Sequence, residues 1–187
     1  MGDVVILWNT DVPAAIERAY GLPDGSVLSR ALKSQAGRLA TLGRIDRPEW
    51  FRQVGRDLPK DAINEWLAYH GDLNVGLIEM LTTARRSGLR IYFLTNATNR
   101  LWDDLEHHGI RHFADYVFCS ASVGLAKPDP KMYDHVISMT LLRPERILYI
   151  EDTPSWAEAG RRIGMVSHTY SGNPALKSEL ERLGVLS

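Results

Sequence analysis

Beyond Gly71 the sequence alternates between short apolar runs and amphipathic stretches, and this alternation constrains the fold more than any other feature. Four of the runs have the length and the residue types of strands, at residues 89–94, 116–119, 147–150 and 165–170. Helical patterns precede, separate or follow these runs, at residues 74–86, 99–108, 130–139, 154–163 and 174–183. Strands that alternate with helices form right-handed crossovers, so the sequence predicts an α/β fold with a parallel sheet flanked by helices.

The N-terminal part of the chain has a different pattern. The apolar run from Val4 to Trp8 is predicted to be a fully buried first strand of the sheet. From Pro13 to Gly71 the pattern is helical, and one of these helices is predicted to run from Val27 to Leu42. We therefore predict a core domain of residues 1–12 and 72–187, and a small all-α cap subdomain of residues 13–71 inserted after strand 1.

Composition narrows the class of ligand. The chain has 22 Lys and Arg against 23 Asp and Glu, a formal net charge of −1, so no basic field favours nucleic acid or a membrane surface. A small soluble ligand and a cytoplasmic location are expected. The single cysteine, Cys119, excludes an internal disulfide and is predicted to fill a strand position. The cap aromatics Trp50, Phe51 and Trp66 recur at helical spacing, which favours internal packing over the lining of a substrate pocket.

Polar side chains follow several of the predicted strands or lie in the loops beyond them. They are Asn9 with Asp11, Thr95 with Asn96, Lys127, and Glu151 with Asp152. Because ligands collect beyond the carboxyl ends of parallel strands, we expect these groups to converge on one edge of the sheet.

The residue types complement one another as phosphoryl transfer requires. The adjacent carboxylates of Glu151 and Asp152 supply the hard oxygen ligands that Mg²⁺ prefers together with substrate phosphate. Thr95 and the amides that follow it suit phosphate oxygens. Lys127 would neutralise charge on the phosphoryl group and on a carboxylate beside it.

At these residues the chain resembles the haloacid dehalogenase (HAD) superfamily, and the resemblance covers essentially the whole chain. The segment from Phe93 to Asn96 is similar to the second motif of that family, and Lys127 with the Pro-Asp-Pro that follows is similar to the third. Residues 147–152 resemble the fourth motif, in which paired acids hold the metal. The resemblance implies a Rossmann-like core with a subclass I helical cap, a Mg²⁺ cofactor, an aspartyl-phosphate intermediate and a small phosphorylated or halogenated substrate.

The first family motif, Asp-x-Asp after an apolar strand, is degenerate in this chain. Aligning Trp8 with the usual aromatic residue puts Asn9 in the nucleophile position and Asp11 in the acid/base position, both of which would also help to hold the metal. Shifting the alignment by one residue, or forward to Asp11, restores no Asp-x-Asp pair. A neutral carboxamide is a far weaker nucleophile than a carboxylate, so turnover is expected to be low.

Two functional hypotheses follow. The first is a HAD-fold protein that is hydrolytically impaired and acts by binding a phosphorylated metabolite, phosphate or a protein partner, with a homodimer as one option. The alternative is an active Mg²⁺-dependent phosphatase or related hydrolase of a small phosphorylated metabolite, in which Asp11 or a rebuilt loop takes over.

Overall fold

The computed structural model describes residues 2–186 and contains two parallel strand pairs. Strand β3 (Tyr92–Thr95) pairs with β4 (Tyr116–Cys119), and β5 (Leu148–Glu151) pairs with β6 (Val166–Thr169). The predicted strand at residues 116–119 agrees with β4 at both ends. The strand predicted at residues 89–94 begins later, because the backbone N–H of Leu89 still donates to the Ala84 carbonyl and belongs to the end of the preceding helix.

The first strand differs from the prediction. Strand β1 is only Ile6–Leu7, and it pairs antiparallel with β2 (Asp72–Leu73) and not parallel within the sheet. The residues before it form a tight turn, in which Asp3 has a left-handed φ of 54° and its N–H donates to the Ile6 carbonyl at 2.7 Å. The predicted burial of the run is confirmed for Val4, Val5 and Ile6 but is wrong for Leu7, which is 39% exposed. The side chains are held by the core, while the local turn prevents a longer ladder.

Helices account for most of the remaining structure. Those between β1 and β2 are α1 (Asp11–Ala19), α2 (Ser26–Leu28) with a π-helix (Ser29–Lys33), α3 (Gln35–Thr41), α4 (Arg47–Val54) and α5 (Lys60–Ala68). The later ones are α6 (Val75–Arg86), α7 (Leu101–His107), α8 (Ser120–Val123), α9 (Pro130–Thr140), a 3₁₀ turn (Pro144–Arg146), α10 (Pro154–Arg162) and α11 (Asn173–Arg182). No helix in residues 2–186 is long and apolar enough to cross a membrane.

The long helix predicted from Val27 to Leu42 is interrupted. Ser34 is extended, with ψ of 171°, and its hydroxyl accepts from the Gly37 N–H at 3.1 Å, which caps α3. A Cβ at Gly37 would lie 2.4 Å from the Leu32 carbonyl oxygen, so the close approach of the two helical segments requires glycine here.

The helical insertion has its own apolar cluster, separate from those of the strands. It includes Ile16, Ala31 and Ile63 together with Trp50 and Trp66. The Trp50 indole N–H donates to the Ala31 carbonyl at 2.9 Å, and the two tryptophan rings lie 6.2 Å apart. The two rings pack internally as predicted, but both also line the cavity described below, so the preference for packing over pocket lining was wrong.

Several contacts attach the insertion to the strands and helices that follow it. The Ser120 hydroxyl at the start of α8 donates to the Thr41 carbonyl at 2.6 Å, and Arg47 of α4 forms an ion pair with Asp103 of α7. Gly43 lies close by with a φ of +64°, and a Cβ there would lie 2.0 Å from the Ala121 carbonyl oxygen. These contacts hold the insertion over the ends of β3 and β4.

Candidate functional site

The candidate site is built where β3 and β5 end. Thr95 is the last residue of β3, is 5% exposed, and lies opposite Cys119 in the parallel ladder. Glu151 is the last residue of β5 and is 1% exposed. Both polar side chains are therefore carried to the carboxyl ends of strands, where open α/β proteins bind ligands.

A reciprocal pair of hydrogen bonds joins the loop after β3 to the loop before α9. The Asn96 side-chain NH₂ donates to the Lys127 backbone carbonyl at 2.8 Å, and the Lys127 backbone N–H donates to the side-chain oxygen of Asn96 at 2.8 Å. This pairing fixes where the Lys127 side chain begins.

The Lys127 ammonium forms a buried ion pair with Glu151, with Nζ 2.5 Å from Oε2. The Tyr149 hydroxyl donates to the same oxygen at 2.5 Å, and the Thr153 N–H donates to the other at 3.2 Å. Burial acts to raise the pKa of Glu151, but the Lys127 charge and the hydrogen bonds with Asp152, Lys127 and Tyr149 outweigh it and hold the pKa low. Burial and the Glu151 carboxylate raise the pKa of Tyr149, so its hydroxyl stays a donor.

Asp152 extends the site beside this pair. It is half-buried, and burial together with the neighbouring Glu151 carboxylate raises its pKa. A divalent cation bound here would stabilise the Asp152 carboxylate and so lower its pKa again. Glu151 is already bound by Lys127 and Tyr149, so Asp152 is the acid of the pair that would hold a metal.

The described residues contain no group of three or more His, Cys, Asp and Glu side chains close enough to enclose a metal ion. Mg²⁺ keeps several waters and is commonly held by one or two carboxylates with substrate phosphate. The donor set around Asp152 therefore fits a Mg²⁺ ion bound jointly with a phosphorylated ligand, and does not fit a closed structural metal site.

The predicted catalytic residues Asn9 and Asp11 differ in their placement, because Asn9 lines the same cavity as Thr95 and Asn96 whereas Asp11 does not. Asn9 is exposed, its N–H donates to the Tyr69 hydroxyl at 2.9 Å, and its side-chain oxygen accepts from the Asp11 N–H at 2.8 Å. Asp11 is the exposed first residue of α1. In residues 2–186 no hydrogen bond or ion pair joins either side chain to Lys127 or Asp152, and their catalytic and metal-binding roles stay predictions.

A cavity of about 360 Å³ opens in front of the β3 end. Thr95 and Asn96 line it together with Asn9 and the N-terminal residues Gly2 and Asp3. Its apolar wall comes mainly from the helical insertion. This volume falls in the range of small-molecule sites, about 300–1,000 Å³.

The sequence patterns did not single out a buried polar pair on the cavity wall, Arg100 and Asp104. Arg100 is 8% exposed and Asp104 is 5% exposed, and their side chains approach to 3.4 Å. The Asp104 carboxylate also lies 2.8 Å from Nδ1 of His70. The i, i+4 spacing of the pair on a predicted helix was a usable signal. Tyr149 was also missed, although its i, i+2 spacing from Glu151 places both on one face of a strand.

Fold and site define an α/β protein with a helical insertion after the first strand and a buried lysine–carboxylate pair at its strand ends. Residues 7–164 match the family model described as haloacid dehalogenase-like hydrolase, and the chain therefore belongs to this family. The family resemblance deduced from the sequence motifs is confirmed.

Curated relatives include phosphatases. The chain is 25% identical over 189 aligned positions to a sesquiterpene phosphatase from Aspergillus oryzae, with 98% of this chain and 93% of the relative covered. It is 30% identical to the bovine haloacid dehalogenase-like hydrolase domain-containing protein 3, over 54% of this chain and 42% of that protein. A GMP/IMP nucleotidase from Escherichia coli aligns at 28% identity over 62% of this chain and 52% of its own length. The chain thus spans about half or less of the length of the last two relatives.

Solved structures share the fold. A HAD family enzyme from Bacteroides thetaiotaomicron superposes with a TM-score of 0.76 at 14% identity over 92% of each chain, and one structure of that enzyme contains magnesium and inorganic phosphate. The L-2-haloacid dehalogenase from Xanthobacter autotrophicus gives a TM-score of 0.64 at 17% identity, over 98% of this chain and 81% of that one.

Proposed function

We propose that the protein is a Mg²⁺-dependent hydrolase of small phosphate monoesters, with the strand-end site binding the phosphoryl group. The observation that carries this proposal is the buried Lys127–Glu151 pair, which Asn96 fixes next to Thr95. Desolvating a lysine and a glutamate side by side is costly, and such a pair is kept where a positioned charge is needed.

Each side chain has a distinct part in this proposal. The Thr95 side chain and the backbone N–H groups that follow it contact phosphate oxygens, and the ammonium of Lys127 offsets the charge that grows on them as the ester bond breaks. Asp152 holds Mg²⁺ together with the substrate phosphate, and the metal supplies Lewis-acid polarisation of the phosphoryl group. In this proposal residues 1–12 and 72–187 form the Rossmann-like core domain, and residues 13–71 form the cap subdomain.

The nucleophile belongs on the N-terminal wall of the cavity. Gly2 and Asp3 line this wall with Thr95, whereas Asp11 does not line the cavity. Among the residues that the structure describes, Asp3 is the carboxylate that lines this cavity without an ion-pair partner. A carboxylate at this end of the chain satisfies the need for an anionic oxygen that the Asn9 carboxamide does not meet.

The hypothesis of an impaired, ligand-binding protein is the second candidate. It rests on the neutral Asn9 side chain in the nucleophile position of the family motif. The phosphatases among the relatives favour the active hydrolase, and a homodimer or a protein partner belongs to this second candidate alone.

The discriminating experiment measures Mg²⁺-dependent phosphate release by the unmodified protein and by Asn9→Asp and Asp3→Asn. The active hydrolase releases phosphate as purified, and Asp3→Asn abolishes the release. If the unmodified protein is inert and Asn9→Asp restores activity, Asn9 occupies the nucleophile position and the second candidate replaces the first.

A further inference from the structure

The wall of the 360 Å³ cavity is mainly aromatic and aliphatic where the helical insertion forms it. Leu28 and Leu32 contribute alkyl surface, and Trp8, Trp66 and Tyr69 contribute rings. Leu32 is 41% exposed and lines the cavity, so its side chain is accessible to a ligand there.

The two charged groups beside these rings, Arg100 and Asp104, neutralise each other. The Arg100 guanidinium donates to the Tyr69 carbonyl and lies 4.9 Å from the centre of the Trp66 ring and 5.5 Å from that of Trp8. Its charge is balanced by Asp104 at 3.4 Å. The wall therefore presents no net positive charge to a second anionic group of a ligand.

Arg100 is engaged by several partners on this wall. Its Nε is the atom that lies 3.4 Å from the Asp104 carboxylate, without hydrogen-bond geometry, and the residue is 8% exposed at the cavity. The guanidinium is therefore held by Asp104, by the Tyr69 carbonyl and by the Trp8 and Trp66 rings.

The cavity is continuous with the proposed phosphoryl site, because Thr95 and Asn96 line both. A group esterified to a phosphate held at Thr95 would therefore extend between Trp8 and the leucines of the insertion. The chemistry of that wall then selects the leaving group.

We propose that the preferred substrate is a phosphate monoester of an uncharged, predominantly apolar alcohol, of alkyl, prenyl or aryl type, and that Leu32 is a specificity-determining residue. This inference rests on the proposed hydrolase function. It predicts discrimination against sugar phosphates and nucleoside monophosphates, whose hydroxyls and bases would be left without partners on this wall.

The test compares n-butyl, n-hexyl and n-octyl phosphate, below their critical micelle concentrations, with glucose 6-phosphate and GMP. We expect kcat/KM to rise by roughly four-fold per added methylene until the cavity is filled, as burial of each methylene predicts. A flat series, or a preference for glucose 6-phosphate or GMP, overturns the inference.

A pair of variants connects the preference to this wall. Leu32→Glu places a charge on the cavity and is expected to raise KM for n-octyl phosphate about ten-fold or more. Leu89→Glu is the matched control, because Leu89 is 43% exposed and lies outside the cavity lining. Equal effects of the two substitutions contradict a role for Leu32.

Binding of phosphonates, whose C–P bond is not hydrolysed, separates this inference from the proposed function. Calorimetry with n-octylphosphonate and methylphosphonate in the presence of Mg²⁺ is expected to show at least ten-fold tighter binding of the octyl compound. If no ester is hydrolysed but this difference is found, the hydrolase proposal fails and the apolar site stands. If the two phosphonates bind equally, the apolar site is refuted whether or not the protein is active.

Discussion

Removing Lys127 from its buried pair with Glu151 is expected to destabilise the protein strongly. The Lys127→Met substitution conserves much of the side-chain length but leaves a carboxylate that is 1% exposed with no cation beside it. Breaking a buried pair in this way costs about 3–5 kcal/mol in the free energy of unfolding. For a chain of this length each kcal/mol lowers Tm by about 2–4 °C, which predicts a fall of roughly 6–20 °C.

A double-mutant cycle isolates the pair from its surroundings. Glu151→Gln alone leaves the ammonium buried, whereas Lys127→Met combined with Glu151→Gln removes both charges and keeps an acceptor for the Tyr149 hydroxyl. We expect urea unfolding to show that the double variant loses less stability than the sum of the single variants, by at least about 1 kcal/mol. Additivity within about 0.5 kcal/mol refutes a direct interaction between the two charges.

Three further substitutions test individual contacts. Tyr149→Phe removes a hydrogen bond to a carboxylate and is expected to lower the free energy of unfolding by about 1.5–3 kcal/mol. The control Tyr133→Phe should cost only about 0.5–1.5 kcal/mol, because the Tyr133 hydroxyl donates at 3.2 Å to a neutral carbonyl. Equal losses in urea unfolding contradict a strong bond at Tyr149. Gly43→Ala is expected to lower the free energy of unfolding by about 1–3 kcal/mol more than Gly88→Ala. Both glycines have positive φ, but only at Gly43 would a Cβ lie against a backbone oxygen. A smaller fall in Tm for Gly43→Ala than for Gly88→Ala contradicts that close approach. Burial acts to raise the pKa of Asp115, but the Ile91 N–H and the Arg85 guanidinium outweigh burial and lower the pKa. The stability advantage of the native protein over Asp115→Asn should therefore be complete at pH 7 and fall away below about pH 4. A difference in unfolding free energy that does not change with pH contradicts this.

The sequence predicted the elements whose patterns depend on burial. The strand at residues 116–119 and the start of α6 were correct, because alternation with buried neighbours and the side chain of Asn74, which accepts from the Leu77 N–H, are local signals. The first strand and the helix at residues 27–42 were wrong in detail. The turn at Asp3 and the cap at Ser34 are single hydrogen bonds that interrupt an otherwise consistent apolar pattern.

The candidate site was predictable to a similar degree. Thr95, Asn96 and Glu151 were placed at strand ends and Lys127 in a loop beyond a strand, and the structure joins the last three of these residues in space by hydrogen bonds between Asn96 and Lys127 and between Lys127 and Glu151. The wall formed by the helical insertion was not predictable, because it depends on how separate helices pack over the strands. Sequence spacing specifies which residues share a helix face but not which faces meet.

Phosphate release from n-octyl phosphate, with and without Mg²⁺, tests the central claim most directly. We predict release by the unmodified protein that EDTA abolishes, that added Mg²⁺ restores, and that Asp152→Asn reduces by at least about 100-fold while the variant remains folded. Release that is equal with EDTA, or equal in Asp152→Asn, would contradict a Mg²⁺-dependent hydrolase built at this strand edge.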